Sequence, residues 1–141
     1  MRRTALFLFV FIVLISCGKK EVKPVSQESK ISQEAFALAE KVRDAFIKND
    51  RATLQQISTE KGYRDVTASS KSFETVELIF TPRWVEIEPN QNVMMNVTWK
   101  SKWTSAGKKL EDRGMAVFVL EGRPLKLAGI LRANPFIFPE Q

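Results

Sequence analysis

The 141-residue sequence contains no histidine and a single cysteine, Cys17. Without histidine, the protein lacks the side chain that most often serves as a general base and as a metal ligand. One cysteine excludes an internal disulfide and leaves no thiolate cluster for zinc. A metal site would need oxygen ligands alone, and no stretch has the spacing of a calcium-binding loop. We therefore expect neither a metal nor another cofactor.

Positive charge is in only modest excess. The sequence has 22 Lys and Arg and 16 Asp and Glu, which gives a net charge of +6. Two of the basic residues, Arg2 and Arg3, belong to the N-terminal leader, so the chain after residue 16 carries 20 against 16, or +4. That excess is far below that of a nucleic-acid-binding arm. The hydrophobic content of 44% suits one globular domain with additional terminal segments.

The N-terminus combines a basic start with one short apolar run. Arg2 and Arg3 precede positions 5–15, which are uninterrupted by any polar residue. This run is too short to span a bilayer, which needs about 20 residues, but it has the dimensions of a secretory signal. It ends with the letters LISC at positions 14–17, which resemble the lipobox of bacterial lipoproteins.

The lipobox resemblance implies cleavage before Cys17 and a diacylglyceryl group on its sulfur, with fatty chains such as palmitate. A single acyl chain holds a protein marginally, at about 0.8 kcal/mol per buried methylene, whereas two or three hold it firmly. Gly18 stands where an aspartate tends to retain lipoproteins at the inner membrane. We therefore expect a bacterial cell-envelope protein anchored at the outer membrane and facing the periplasm. A plain signal anchor with a coincidental cysteine is the alternative.

The residues after the cysteine are polar, contain one proline and lack aromatic side chains up to position 31, as in a flexible tether. Lys19 and Lys20 either hold this tether to anionic headgroups or only keep it soluble. The sequence thus predicts a signal peptide at 1–16, a lipidated cysteine and tether at 17–31, a folded domain at 32–135 and an aromatic tail at 136–141.

Helical periodicity begins at Ser32, which is expected to cap a helix that ends at Asn49-Asp50. Its apolar stripe is formed by Ala35, Leu38, Val42, Ala45 and Phe46. A second helix is predicted over 51–58, and Gly62 is expected to end the helical part of the chain.

From about Thr75 the hydrophobic period falls to two, which indicates strands. In positions 93–103, Trp99 and Trp103 share the apolar face, and the lysines between them lie on the other face. In the preceding strand, alternation places Trp84 on the polar face, between charged residues.

The first hairpin can be given a register, because apolar residues must face apolar ones. A three-residue loop ending at Asn92, with that residue at positive φ, pairs Ile87 with Met95. The same register sets Arg83 opposite Trp99 as a cation–π pair.

Two further turns are predicted. Gly107 supplies a positive φ to the first. The stretch GMAVFVLE that follows is apolar on both faces, which is typical of a strand covered on both sides. A tight turn then pairs Leu120 with Leu125 and brings Ala116 beside Gly129, where two small residues leave room for a helix or a ligand.

Helices followed by antiparallel strands predict an α+β fold, with the helices packed on one face of a curved antiparallel sheet. Several segments resemble the nuclear transport factor 2-like superfamily, also called cystatin-like or ketosteroid-isomerase-like. They are the first helix, KNDRATLQQIS, and the successive strands in FTPRWVEIE and VTWKSKWTSAGKKLEDRGMAVFVLEGRPLKLAGILRANP. The resemblance covers Ser32 to Pro135. It implies a cone-shaped fold whose open end often holds a ligand.

The resemblance leaves an enzymatic function open as an alternative. Isomerase-like or lyase-like chemistry of this family needs a carboxylate base and a tyrosine donor, and Tyr63 is the only tyrosine. The candidate acids for the same pocket are Asp65, which is near Tyr63 in sequence, and Asp112, at a strand end. The family's dehydratase chemistry needs a histidine, which the chain lacks.

Two non-catalytic functions are the main expectation. The cone could bind a small apolar ligand through four aromatic residues, which alternatively fill the core: Tyr63, Trp99, Trp103 and Phe118. The domain could instead bind proteins, either a second copy of itself or another envelope protein, with Trp84 as the surface contact.

Nucleic acid is not an expected partner, because Trp99 and Trp103 lie on the opposite face from the lysines and one strand could not meet both. The sequence therefore predicts a lipid-anchored envelope protein with a non-catalytic ligand-binding or scaffold domain. A cone filled by Trp99, Trp103 and Phe118 would favour interaction through outer surfaces. An acid within hydrogen-bond reach of Tyr63 would favour catalysis.

Overall fold

The computed structural model describes residues 25–69 and 72–139, so Cys17 and the predicted signal peptide lie outside it. In these ranges the elements are α1 (Gln27–Ile47), α2 (Arg51–Ile57), α3 (Glu60–Thr67), β1 (Thr75–Ile87), β2 (Val93–Ser105), β3 (Lys108–Glu121) and β4 (Lys126–Arg132). The strands form one antiparallel sheet in the order β1-β2-β3-β4. The helices pack on one face of this curved sheet, which confirms the predicted α+β class.

Helix α1 begins six residues earlier than the sequence pattern predicts. Ser26, rather than Ser32, is the N-cap, and its hydroxyl accepts a hydrogen bond from the Ser29 backbone N–H at 3.1 Å. Ile31 packs against the core, which extends the apolar stripe back into the segment that we assigned to the tether. The stripe itself is buried as predicted, from Ala35 to Phe46.

Gly62 does not end the helical part, because it lies inside α3. This helix begins after Thr59, whose hydroxyl accepts from the Gly62 N–H at 3.2 Å. A Cβ at Gly62 would collide with the backbone carbonyl of Leu127 in β4. The glycine therefore marks a close helix–strand contact rather than a helix end.

The β1–β2 hairpin has the predicted loop length but a different register. Ile87 pairs with Val93, two residues from the predicted partner Met95. Glu88 N–H donates to the Asn92 carbonyl at 2.9 Å, so the three loop residues are 89–91. Gln91 rather than Asn92 has the positive φ, at 68°. A shift of two residues keeps every side chain on its face, so the apolar pattern alone cannot separate these registers.

The predicted cation–π pair does not form, because the register differs and a bulge interrupts β1. The pairing shifts between Pro82 and Trp84, and Arg83 is the extra residue. Trp99 therefore pairs with Phe80, and Arg83 does not lie opposite it.

The β2–β3 turn is formed by Ala106 and Gly107, with φ of 50° and 74°, which confirms the positive φ predicted for the glycine. Two adjacent residues at positive φ match the right-handed twist of the flanking strands. Ser105 pairs with Lys108 across this turn.

The predicted β3–β4 register is wrong. Leu120 pairs with Leu127 instead of Leu125, and a second bulge follows. Gly129 then lies beside Val119 rather than beside Ala116. The space above Gly129 is occupied by α3, since a Cβ there would lie 2.5 Å from the Lys61 ammonium nitrogen.

Candidate functional site

The interior of the cone is filled with aromatic side chains. Trp103 and Phe118 are each 1% exposed. Phe136, from the segment after β4, stacks on Phe118 with ring centroids 6.3 Å apart, and its centroid lies 4.9 Å from that of Phe46. Phe73 packs edge-on against Trp103 at 5.0 Å. The structure thus places three of the four residues proposed for a ligand pocket, Trp99, Trp103 and Phe118, in the core.

The indole N–H groups of both core tryptophans have partners inside the protein. Trp99 donates to the Ala133 carbonyl at 3.0 Å, and Trp103 donates to the Ser101 hydroxyl at 2.8 Å. Buried indoles usually find such partners. Neither N–H group is therefore aimed at an empty space where a ligand would accept its hydrogen bond.

Tyr63 is half-buried against the core. Asp65 lies two positions further along α3, and two positions on a helix point in divergent directions. Its Oδ2 atom accepts from the Ile130 backbone N–H at 2.9 Å and lies 3.0 Å from Lys61 Nζ. Asp112 accepts from the Arg113 N–H in β3 at 2.8 Å. Both acids thus bind other groups, and no hydrogen bond joins either of them to Tyr63 among the residues described.

A cleft of about 460 Å³ opens where α1, α2 and α3 meet the segment before β1. Phe46 and Phe73 form its apolar floor, and Asn49, Arg51 and Glu74 contribute polar atoms to its rim. None of the four aromatic residues predicted to line a pocket lies along it. The cleft is nonetheless large enough for a small molecule.

The outer face of the sheet, which the helices leave uncovered, carries a band of apolar residues. One row of neighbours crosses all four strands: Trp84, Asn96, Val117 and Leu131. Trp84 is 52% exposed, as its place on the polar face predicted, and Leu131 is also exposed. Val117 is only 7% exposed although it lies outside the main core cluster. We call this set the central row.

Sequence reasoning missed the extent of this band. The sequence does carry the signal, because the stretch GMAVFVLE is apolar on both faces. The inner face of that strand supplies Ala116 and Phe118 to the core. The outer face supplies Met115 and Val117 to the apolar band, where the described residues contribute no helix to cover them.

Both edges of the sheet carry features that disfavour strand addition. Along β4, Thr59 N–H donates to the Leu127 carbonyl at 2.8 Å, and Asp65 accepts from Ile130 N–H. Along β1, Pro82 lacks an N–H group and the bulge at Arg83 interrupts the edge. Proline and bulges are the devices by which natural edge strands resist pairing. A macromolecular partner would therefore meet the face of this sheet rather than its edge.

Two cations border the apolar band. Lys100 and Arg113 are directly opposed across β2 and β3 and line a groove of about 380 Å³ together with Met115. Like charges directly opposed in a sheet are destabilising. Neither cation forms an ion pair among the described residues, whereas Lys102, on the same face, lies 3.6 Å from Glu111.

Other features of the described residues point to no reaction centre. Within ranges 25–69 and 72–139, no three acidic or cysteine side chains cluster as metal ligands would. No helix in those ranges is both long enough and apolar enough to cross a membrane. The pKa of Asp50 is lowered, chiefly by the hydrogen bond from the Thr53 hydroxyl at 2.6 Å, and this carboxylate caps α2.

Comparison with known proteins supports the fold. No protein-family model and no curated protein sequence matches this chain. Among solved structures, the chain resembles a nuclear transport factor 2 (NTF2-like) superfamily protein from Salmonella enterica subsp. enterica serovar Typhimurium str. LT2. The TM-score is 0.62 with 14% sequence identity, and the match covers 76% of this chain and 92% of that chain. The chain therefore has an NTF2-like fold.

Proposed function

We propose that this protein is a lipid-anchored cell-envelope protein whose NTF2-like domain is a non-catalytic interaction module. The fatty chains on Cys17 hold the domain at the outer membrane, facing the periplasm, and the outer face of the sheet binds a protein partner. The observation that carries the interaction role is the contrast between the two faces of the sheet. The inner face packs into a filled aromatic core, whereas on the outer face Trp84, Met115 and Leu131 are exposed.

A second candidate is binding of a small apolar ligand in the cleft between the three helices and the segment before β1, and the cleft volume of about 460 Å³ favours it. The isomerase-type alternative has weaker support, because both candidate acids bind other groups. Asp65 accepts a hydrogen bond from β4, and Asp112 accepts one from the next residue of its own strand. Catalysis would require a carboxylate to reach Tyr63.

The anchor is tested by metabolic labelling of the expressing bacterium with an alkyne-bearing fatty acid. The native protein should carry the label, and its intact mass should correspond to a chain that starts at Cys17 with acyl groups. Cys17→Ser should lose the label and accumulate with residues 1–16 attached. An unlabelled native protein would refute the anchoring.

The interaction role is tested with the chain from Gly18 to Gln141, which retains every described helix, strand and core residue. We expect native mass spectrometry in host extract to find it bound to protein. Trp84→Ser combined with Leu131→Ser should abolish that binding. Ile137→Ser is the matched control, because Ile137 is equally exposed and lies outside the sheet. A retained small molecule with no bound protein would refute the interaction role and support the cleft.

A further inference from the structure

Asn96 is a buried polar residue of β2 whose side chain has no partner. It belongs to the outer face of the sheet, because its neighbours Met95 and Val97 both lie in the core. It is 6% exposed, and its amide forms no hydrogen bond among the described residues. In those residues Ser58 Oγ is the one side-chain polar atom that is both sealed from solvent and without a partner, so the Asn96 amide still reaches the outer surface.

This position is unfavourable for asparagine in the free protein. Burial of an amide without a hydrogen bond costs free energy, and asparagine is depleted in strands. Its cross-strand neighbours in the central row, Trp84 and Val117, are apolar, so valine would suit the position better. Thr98, two residues further along the same face, differs because its hydroxyl donates to the Thr81 carbonyl at 3.4 Å. A residue that breaks the local rules without a structural gain is typical of a functional site.

The apolar surroundings of this amide restrict the kind of partner that can satisfy it. Lipid chains carry no polar group, so they would leave the amide without a hydrogen bond. The backbone of a helix cannot satisfy it either, because its N–H and C=O groups are bonded within the helix. A residue in an extended chain presents its N–H and C=O on the same side. These two groups match the Oδ1 acceptor and the Nδ2 donor of asparagine.

The apolar band around the central row is small for a globular partner. Glu86 and the paired Glu121 and Lys126 border it toward the β1–β2 loop, and Lys100 and Arg113 border its other side. Three rows of side chains about 6.6 Å apart, on four strands about 4.8 Å apart, cover roughly 300 Å². A stable interface between folded proteins needs about 800 Å² on each partner. The width of about 14 Å across the strands instead matches about four residues of an extended segment.

We propose that the outer face binds an extended segment of a partner protein, and that Asn96 recognises the backbone of one residue in that segment. This proposal rests on the proposed interaction role and names the chemistry of its partner. Oδ1 of Asn96 accepts from the N–H of that residue, and Nδ2 donates to its C=O. Apolar side chains on either side of the recognised residue cover Trp84 and Leu131. Because the recognised groups belong to the backbone, Asn96 fixes the position of the segment rather than the identity of its side chains.

The probe is a peptide selected on the Gly18–Gln141 chain from a phage-displayed library of random sequences. The selected peptide should lose binding when Trp84→Ser and Leu131→Ser are combined. N-methylation of its residues in turn should find one position where affinity falls about tenfold or more, because that N–H donates to Asn96. In the Asn96→Val chain the same N-methyl group should change affinity by less than about threefold. Equal sensitivity of the two chains to N-methylation would overturn the proposal.

Stability measurements separate recognition from a structural role of Asn96. Asn96→Val should raise the urea midpoint of the Gly18–Gln141 chain or leave it unchanged, yet weaken peptide binding about tenfold or more. Thr98→Val is the matched control on the same strand and face, because the Thr98 hydroxyl already has a partner within the protein. It should change peptide affinity by less than about twofold. An Asn96→Val chain that loses stability together with binding would overturn the proposal.

The same probe distinguishes failure of this proposal from failure of the interaction role. In one outcome, the library yields no peptide that depends on Trp84 and Leu131, while these two residues still control binding of a host protein. That result would refute the extended segment and leave the interaction role standing. If the two residues control neither peptide nor protein binding, the interaction role is refuted, and this proposal with it.

Discussion

Replacing Gly62 with alanine should destabilise the protein, although the same change inside an ordinary helix stabilises it by about 1 kcal/mol. The reason is the contact between α3 and β4. A Cβ on Gly62 would overlap the Leu127 backbone carbonyl and lie 2.7 Å from the carbonyl carbon. Backbone atoms cannot rotate away as a side chain can, so the helix must move off the strand.

The size of the loss follows from the hydrogen bonds that this movement stretches. The three shortest of the bonds that join the α3 segment to the last part of the chain are Thr59 N–H to Leu127 O at 2.8 Å, Ile130 N–H to Asp65 Oδ2 at 2.9 Å and Asn134 Nδ2 to Asp65 O at 2.7 Å. At about 1 kcal/mol each, their loss costs about 3 kcal/mol. Subtracting the gain in helix propensity leaves a net loss of about 2 kcal/mol.

Urea denaturation of the Gly18–Gln141 chain measures this change. With a slope near 1.5 kcal/mol per molar, the midpoint should fall by about 1.3 M. Gly129→Ala is the matched control, because its Cβ would meet the flexible end of Lys61 rather than backbone, and it should cost less than about 1 kcal/mol. If Gly62→Ala proved as stable as the parent, or more stable, the close contact between α3 and β4 would be refuted.

Two further predictions concern single carboxylates. Asp65→Ala should lower the free energy of unfolding by about 1–2 kcal/mol, because the Ile130 N–H loses its acceptor, whereas Asp65→Asn should retain most of the stability; equal losses in urea denaturation would contradict this. The pKa of Asp50 is lowered in the folded state from its ordinary 3.8, so its ionised form stabilises the fold fully above that value, and the contribution is lost as pH falls through the lowered pKa. Asp50→Asn should therefore show a smaller loss of stability on acidification from about pH 5 to about pH 2, and identical pH profiles of the two proteins would contradict it.

The sequence predicts the faces of the strands much better than their registers. The apolar period of two placed Trp99 and Trp103 inside and Trp84 outside, and the structure agrees. Both predicted hairpin registers were wrong by two residues. Apolar alternation repeats every two residues, so it does not distinguish registers that differ by two. The bulges at Arg83 and between Val119 and Leu120 add a further residue that no alternation pattern predicts.

Glycines were misread for a related reason. Gly62 suggested a helix end, and Gly129 suggested room beside Ala116, because local sequence cannot say which distant element approaches. In the structure both glycines serve one contact, where α3 lies against β4. Gly107, by contrast, was predicted correctly, since its positive φ depends on the turn alone.

The same distinction explains how far the candidate site could be predicted. That β3 is apolar on both faces follows from eight consecutive residues and needs no knowledge of the fold. Which side remains uncovered depends on where the helices pack, and only the structure supplies that. Once α3 closes the β4 edge and the proline and bulge interrupt the β1 edge, the uncovered face is the remaining apolar surface of the sheet. The second apolar face of β3 lacks a cover among the described residues, and an exposed apolar patch of this kind is the feature on which the proposed interaction role rests.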